Sequence, residues 1–277
     1  MTPPDTPGPA GRSIQLSVSG ERARIIPDEH DDGRVLEIGG QVQSHVDLAD
    51  PTRIRYEYLR RMANVHDAAW PAARAIRILH LGAGALTLPR YVQAVRPGSV
   101  QTVVDLDREL PSFVVSELPL PEGTELTVVT GDARTELAGL DAEPFDAIVL
   151  DIYTGVDAAA HLTGEEFYGE LLDRLGGQGV LLVNIGDDSG LRFLARQARA
   201  LEAAAADAGL SGAWLLADAT LLDRLETGNA VLAAGGALAR TDLEDLRSAL
   251  LAAGPHPAAV LDPARTAAFA DRVTGSA

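Results

Sequence analysis

The chain of 277 residues carries 40 acidic and 23 basic side chains, a formal net charge of −17 at pH 7, 46% hydrophobic residues and no cysteine. All of those basic residues are Arg, which excludes a Schiff-base lysine and a P-loop lysine, while the lack of Cys excludes disulfides, thiolate metal sites and a cysteine nucleophile. Such acidity excludes nucleic acid as a partner held by clustered cations and favours a small cationic partner; the length suits one α/β core with a small extra element.

Residues 1–12, MTPPDTPGPAGR, are rich in Pro and Gly without the apolar core of a signal peptide and read as a disordered tail. No later run reaches the length of a membrane span, so a soluble, cytoplasmic protein without a membrane partner is expected. ARIIPDE and RVLEIGGQVQS flank the turn sequence HDDG, which predicts a β-hairpin unit from about Ser13 to Ser44, assigned to residues 13–48. The main domain then occupies residues 49–277, opening with a helix that starts near Asp50-Pro51 and places Ile54, Tyr58, Leu59 and Met62 on one side.

Beyond this helix, strand and helix patterns alternate. Strands are predicted at Ile76–Leu81, Val100–Leu106, Glu125–Thr130, Ala147–Leu150, Val180–Ile185, Ala213–Leu216 and Ala230–Ala234. Helices are predicted at Leu86–Ala94, around Arg108–Ser116, and at Arg134–Leu140, Gly164–Leu175 and Gly190–Ala208. This rhythm argues for a doubly wound, mostly parallel sheet with helices on both faces and an antiparallel end. TDLEDLRSALLAAG reads as a helix covering the sheet, with Leu243, Leu246 and Leu250 on one face.

The stretch RILHLGAGALTLPRYV joins a buried strand to a helix through Gly82-Ala83-Gly84. A Gly-x-Gly turn alone is weak evidence of a ligand, since tight turns use Gly for backbone reasons. VVDLD strengthens it, because Asp105 and Asp107 end the next strand about 20 residues on, where a carboxylate accepts the hydroxyl hydrogens of a ribose. TGDAR then sets Asp132 and Ala133 after the third strand, where an adenine amine would be read. Thr87 replaces the third glycine of the dinucleotide fingerprint, so a ligand with a ribose and no pyrophosphate fits better: S-adenosylmethionine or its decarboxylated form.

On these residues the chain resembles the spermidine synthases, aminopropyltransferases built on the class I methyltransferase fold, over roughly Ile26 to Ala234. LEIGGQVQSHVDLADPTRIRYEYL is similar to the family's hairpin and first helix, with Gln43 at its nucleoside-contacting glutamine and Tyr56 at its substrate-side tyrosine. LHLGAGALTLPRYV is similar to the Gly-rich loop, VVDLD to the ribose-binding acid, GDAR to the adenine-binding Asp, FDAIVLDIYTG to the active-site loop, and HLTGEEFYGELLDRLGGQGVLLVNI to the next helix and strand. Three departures fall in the amine half of the pattern: Ala85 replaces an Asp after the glycines, DIYT keeps Asp151 but has Thr154 where the family's second Asp is taken to orient and deprotonate the amine, and the Tyr-His pair is Tyr56-Glu57.

The resemblance implies a transferase that moves an aminopropyl group from a sulfonium nucleoside to an amine acceptor other than ordinary putrescine, without a metal, as a homo-oligomer assembled through the N-terminal unit. Asp151, Tyr56, Glu57 and Asp157 are the candidate catalytic residues, with Tyr153 and His161 as weaker ones. Gln43, Gly82, Ala83, Gly84, Asp105, Asp107, Asp132, Ala133 and Asp151 are the candidate nucleoside contacts. A methyltransferase, or a non-catalytic nucleoside-binding homologue, is the alternative.

Overall fold

The computed structural model describes residues 12–152, 160–239 and 242–275. The chain first forms a four-stranded antiparallel sheet of β1 (Ser13–Gln15), β2 (Arg22–Pro27), β3 (Arg34–Ile38) and β4 (Gln41–Val46), paired in that order. The HDDG turn joins β2 to β3, with Pro27 opposite Arg34. The single hairpin expected from the sequence is therefore incomplete. Gly39-Gly40, read as strand interior, is a two-residue turn that pairs Ile38 with Gln41, and its φ values of 59° and 79° suit glycine. Arg12, assigned to the tail, forms an ion pair with Glu117 at 2.8 Å.

Helix α1 (Glu57–Ala69) starts later than Asp50-Pro51. Asp50 instead folds its own neighbours into a turn: its carboxylate accepts from the Thr52 amide at 3.0 Å and hydroxyl at 2.6 Å, and its carbonyl from the Arg53 amide at 3.0 Å. Such local bonds compete with helical ones.

The main domain continues as β5 (Arg77–Leu81), α2 (Thr87–Val95), β6 (Val100–Asp105), α3 (Glu109–Glu117), β7 (Glu125–Thr130), α4 (Ala133–Gly139) and β8 (Phe145–Leu150). It is completed by α5 (Glu165–Asp173), β9 (Leu175–Asp187), α6 (Arg192–Asp207), β10 (Trp214–Asp218), α7 (Ala219–Arg224), β11 (Gly228–Ala234), α8 (Leu243–Ala253), β12 (Ala258–Leu261) and α9 (Pro263–Gly275). The eight strands lie in the order β12-β10-β11-β9-β8-β5-β6-β7. From β9 to β7 all neighbours are parallel, whereas β11, β10 and β12 are added antiparallel. The short strand β12 and the helices α7 and α9 are additions to the predicted pattern.

Leu81, Leu150 and Val183 on one sheet face pack with Phe167 of α5, Leu194 and Leu201 of α6 and Phe269 of α9. Ile78, Val149 and Leu182 on the other pack with Leu59 and Met62 of α1 and Leu246 and Leu250 of α8. Leu243 is 43% exposed and does not share that buried face. A third cluster, with Leu36, Val46, Leu86 and Val114, joins the N-terminal sheet to α2 and α3.

Buried Arg96 holds a helix end chiefly through carbonyls. Arg96 gives its guanidinium to the carbonyls of His66 (2.9 Å), Trp70 (3.2 Å), Pro71 (2.8 Å) and Arg74 (3.3 Å), closing the C-terminus of α1, with Asp67 no nearer than 3.5 Å. A cation there also suits the helix dipole. Arg96→Met leaves the His66 and Pro71 carbonyls with only the Trp70 and Arg74 amides as donors and strips the guanidinium from the Trp70 and Arg74 carbonyls, and we expect a loss of about 2–3 kcal/mol in urea unfolding. An unchanged midpoint would show that water replaces the guanidinium at no cost.

Candidate active site

The strand order reverses at β5: the chain runs outward through β6 and β7, then returns to place β8 on the other side of β5. An open parallel sheet forms its ligand crevice at the carboxyl ends of strands flanking such a switch point. Gly82 follows β5 and Asp151 follows β8, so the glycine turn and the acid are brought together by topology. The Gly82 amide donates to the Val104 carbonyl at 2.8 Å and the Asp151 amide to the Leu81 carbonyl at 2.9 Å, which continues the sheet to the mouth of the crevice.

Asp105 ends β6 and is half-buried. One carboxylate oxygen accepts from the Ala83 amide and the other from the Asp107 amide, each at 2.9 Å. Burial raises its pKa above the usual carboxylate value, and these two amides pull against that. Two bonds leave about half of a carboxylate's acceptor sites free, so Asp105 both fixes the turn and can face a diol. Asp107 is placed differently from the expected nucleoside contact: its Oδ1 accepts from the Val18 amide at 3.0 Å and the Ser19 amide at 3.3 Å, binding the β1–β2 turn to the main domain.

The N-terminal sheet closes over the same turn. Ser44 Oγ accepts from the Ala85 amide at 3.2 Å, and the Thr87 hydroxyl donates to the His45 carbonyl at 3.0 Å. Gln43, next to Ser44, is half-buried, and its amide has no hydrogen-bond partner among the described residues. Ala85 is 1% exposed within the third apolar cluster, so the position of the family's acid is dry here. Arg90 secures the exit of the turn, donating to the carbonyls of Ala85 (3.3 Å), Pro119 (2.7 Å) and Leu118; burial lowers its pKa to about 10.

Asp151 has two side-chain donors. Asn184 Nδ2 donates to its Oδ1 at 2.9 Å and the Tyr58 hydroxyl to its Oδ2 at 3.3 Å. Burial raises the Asp151 pKa above the usual carboxylate value, against the two donors, which lower it. A partly desolvated carboxylate at a crevice is suited to accept a proton. Tyr56, the N-cap residue of α1, has its ring 6.5 Å from that of Tyr58 at an interplanar angle of 26°. No motif in the sequence marks Tyr58 or Asn184 as functional. Their signal is spatial, since α1 and β9 meet at Asp151 only after folding.

Glu57 does not join this group: it pairs with buried Arg61 one turn later at 2.9 Å, and Arg61 also donates to the Pro255 carbonyl at 3.1 Å. Asp157, Tyr153 and Thr154 lie outside the described residues. Asp132 caps α4, its Oδ1 accepting from the Thr135 amide at 3.0 Å and hydroxyl at 3.1 Å, and its Oδ2 lies 2.6 Å from His161 Nε2. Burial raises its pKa, but the bonds from His161 and Thr135 outweigh that and hold it below the usual value. Ala133 is the buried first residue of α4. Among the described residues, Asp28, Asp31 and His45 are grouped closely enough for a cation, but they lie in the N-terminal sheet and Arg53 and Arg55 already pair with the two carboxylates.

An open, mostly parallel sheet with a glycine turn and acids at its switch point defines a class I methyltransferase-like fold. Human methyltransferase-like protein 13, solved in complex with SAH, shares that fold with a TM-score of 0.52 at 16% identity, over 79% of this chain and 92% of that one. A probable spermidine synthase from Corynebacterium glutamicum is nearer, with a TM-score of 0.80 and 26% identity over 95% of this chain and 94% of its own. A polyamine aminopropyltransferase of Vibrio vulnificus is 30% identical over 169 residues, 58% of this chain and 55% of the relative. The chain thus spans about half the length of that curated relative. No family model matches the sequence. Within the methyltransferase-like class, the chain is similar to spermidine synthases and polyamine aminopropyltransferases.

Proposed function

We propose that the crevice binds decarboxylated S-adenosylmethionine, or S-adenosylmethionine, and that the protein transfers an aminopropyl group to a small cationic amine other than putrescine. The observation that carries this reading is Asp151, a carboxylate of raised pKa held by Tyr58 and Asn184 beside the glycine turn. The names of the relatives support transfer in general. In this reading Asp105 holds the ribose, Gly82-Ala83-Gly84 allow close backbone approach, and Asp151 takes the proton as the amine nitrogen bonds the methylene carbon and the carbon–sulfur bond breaks to leave a neutral thioether. Ala85 stands where the resemblance places a carboxylate that would hold a diamine's distal ammonium, and Arg61 engages Glu57, which could have supplied another; both argue against putrescine. We further propose that the N-terminal sheet mediates a homo-oligomer.

The test is to incubate the protein separately with each sulfonium nucleoside and a panel of amines and identify products by mass spectrometry. Methylthioadenosine with an aminopropylated amine is expected from the decarboxylated form, with little spermidine from putrescine. S-adenosylhomocysteine would instead show methyl transfer, and nucleoside binding without turnover would favour a non-catalytic role. Rapid spermidine formation would overturn the argument from the altered amine side.

A further inference from the structure

Met62, Ala63, Val65 and Ala69 of α1 join the apolar cluster above the sheet, but the same buried run contains His66. That residue is fully buried, and neither its Nδ1 nor its Nε2 has a hydrogen-bond partner among the described residues. Beneath α1, His80 of β5 is 2% exposed and stands on the same side of the sheet as Ile78, two residues earlier. Its Nε2 lies 3.0 Å from Gln101 Oε1, and the Gln101 amide donates to the Pro89 carbonyl at 3.0 Å, so His80 is the donor in this pair. Arg96 closes the group by donating to the His66 carbonyl at 2.9 Å. The remaining ionisable groups here are engaged elsewhere: Asp67 is 3.5 Å from Arg96 and accepts from the Tyr91 hydroxyl of α2, Arg60 lies over the Tyr91 ring and Arg74 over the Trp70 ring. On α8, Glu244 and Arg247 pair with each other at 2.7 Å, while β9 and β11 present apolar Leu182 and Val231. A protonated imidazole has two donors, so a charged His66 would find no acceptor for either and would face the fixed positive charge of Arg96.

We propose that His66 and His80 form an acid-sensitive latch: while neutral they let α1 lie on the sheet, and in acid their charging favours the state in which α1 has lifted from it. The release reaches the crevice whatever ligand binds there. Tyr58 stands eight residues before His66 on the same helix, about 12 Å along its axis, and donates to Asp151. Burial, followed by the neighbouring His80 and Arg96, lowers the His66 pKa from 6.5 to about 3. Burial lowers that of His80 to about 4, against the bond to Gln101, which raises it. A group whose pKa folding lowers takes up a proton on release. The hold on α1 is therefore full above pH 6.5 and weakens as pH falls from there toward the folded values.

Amide hydrogen exchange at about pH 6 and about pH 5, each rate divided by the intrinsic rate at that pH, tests this. In the wild type, the α1 amides are expected to exchange through a smaller opening than those of β9. Their opening constant should rise roughly 50-fold between the two pH values, about 7-fold for each histidine that charges on release. In His66→Leu the rise should shrink to about 7-fold, and at pH 7.5 the α1 amides should be at least as well protected as in the wild type, because two unpartnered nitrogens have left the interior. His66→Phe, which keeps a ring in the same space, is measured in parallel so that a loss of fold in one variant does not decide the outcome. A wild-type rise no larger than that of the two variants, or α1 amides that exchange only together with those of β9, would overturn the latch.

Discussion

Asp151→Asn is expected, on the proposed function, to lower kcat/KM for aminopropyl transfer by about 100- to 10,000-fold while leaving the protein folded, because it removes the only capacity of that side chain to take a proton and keeps its shape. The accompanying stability change distinguishes this from damage. Burial raises the Asp151 pKa in the folded state, so the ionised carboxylate carries a stability penalty that is fully present above the folded pKa and disappears as pH falls below the unfolded value. At pH 7 the neutral amide avoids that penalty, and the melting temperature should hold or rise. Activity has the opposite dependence on pH, since the base works only when ionised and is lost as pH falls through the raised pKa. The Tyr58 hydroxyl lowers that pKa by donating to Oδ2. Tyr58→Phe should therefore move the acidic limb of the kcat/KM profile to higher pH. A limb that stays in place, or an Asp151→Asn enzyme with near wild-type turnover, would remove Asp151 from the role of base.

The alternation of strands and helices was legible because each central strand is buried on both faces and reads as an apolar run, as in Ile76–Leu81 and Val180–Ile185. What escaped was short or locally determined. β12 has four residues, too few for a period to register, and Asp50 suggests a helix start that its own turn bonds preclude. Gly39-Gly40 shows that a turn signal can sit in plain view inside a strand pattern. In the site, the glycine turn and Asp105 were legible from spacing because one strand and one turn place them. Whether an acid faces a ligand or the protein was not. Asp107, Asp132 and Glu57 each find a partner through folding: a turn amide, a histidine and an arginine. The same holds for Asp151, whose donors come from elements 93 and 33 residues away in sequence.

Gly82→Ala should be the most damaging single methyl group in the crevice. At φ +102° Gly82 lies outside the compact left-handed region that alanine tolerates, and a Cβ there would stand 2.2 Å from the Asp151 carbonyl oxygen and 2.9 Å from its carbon. Both are backbone atoms at the end of β8 and cannot rotate aside. Relief requires the ends of β5 and β8 to part, breaking the bond from the Asp151 amide to the Leu81 carbonyl. Backbone strain of about 1–2 kcal/mol and overpacking of about 1–3 kcal/mol place the loss near 3–4 kcal/mol, a large fraction of the roughly 5–15 kcal/mol that stabilises a domain. Any molecules that stay folded carry Asp151 displaced, and a shift of about 1 Å at a reacting group can cost about 100-fold in rate. Gly84→Ala is the control. Its φ of +48° is ordinary for a left-handed residue, and its Cβ would approach only the Ser44 hydroxyl at 2.8 Å, which can turn away at the loss of one bond to the Ala85 amide. Urea unfolding should therefore rank Gly82→Ala well below Gly84→Ala in stability. Equal losses would mean that β8 yields freely at Asp151, and the tight closure of the two strand ends would no longer explain why glycine stands at position 82.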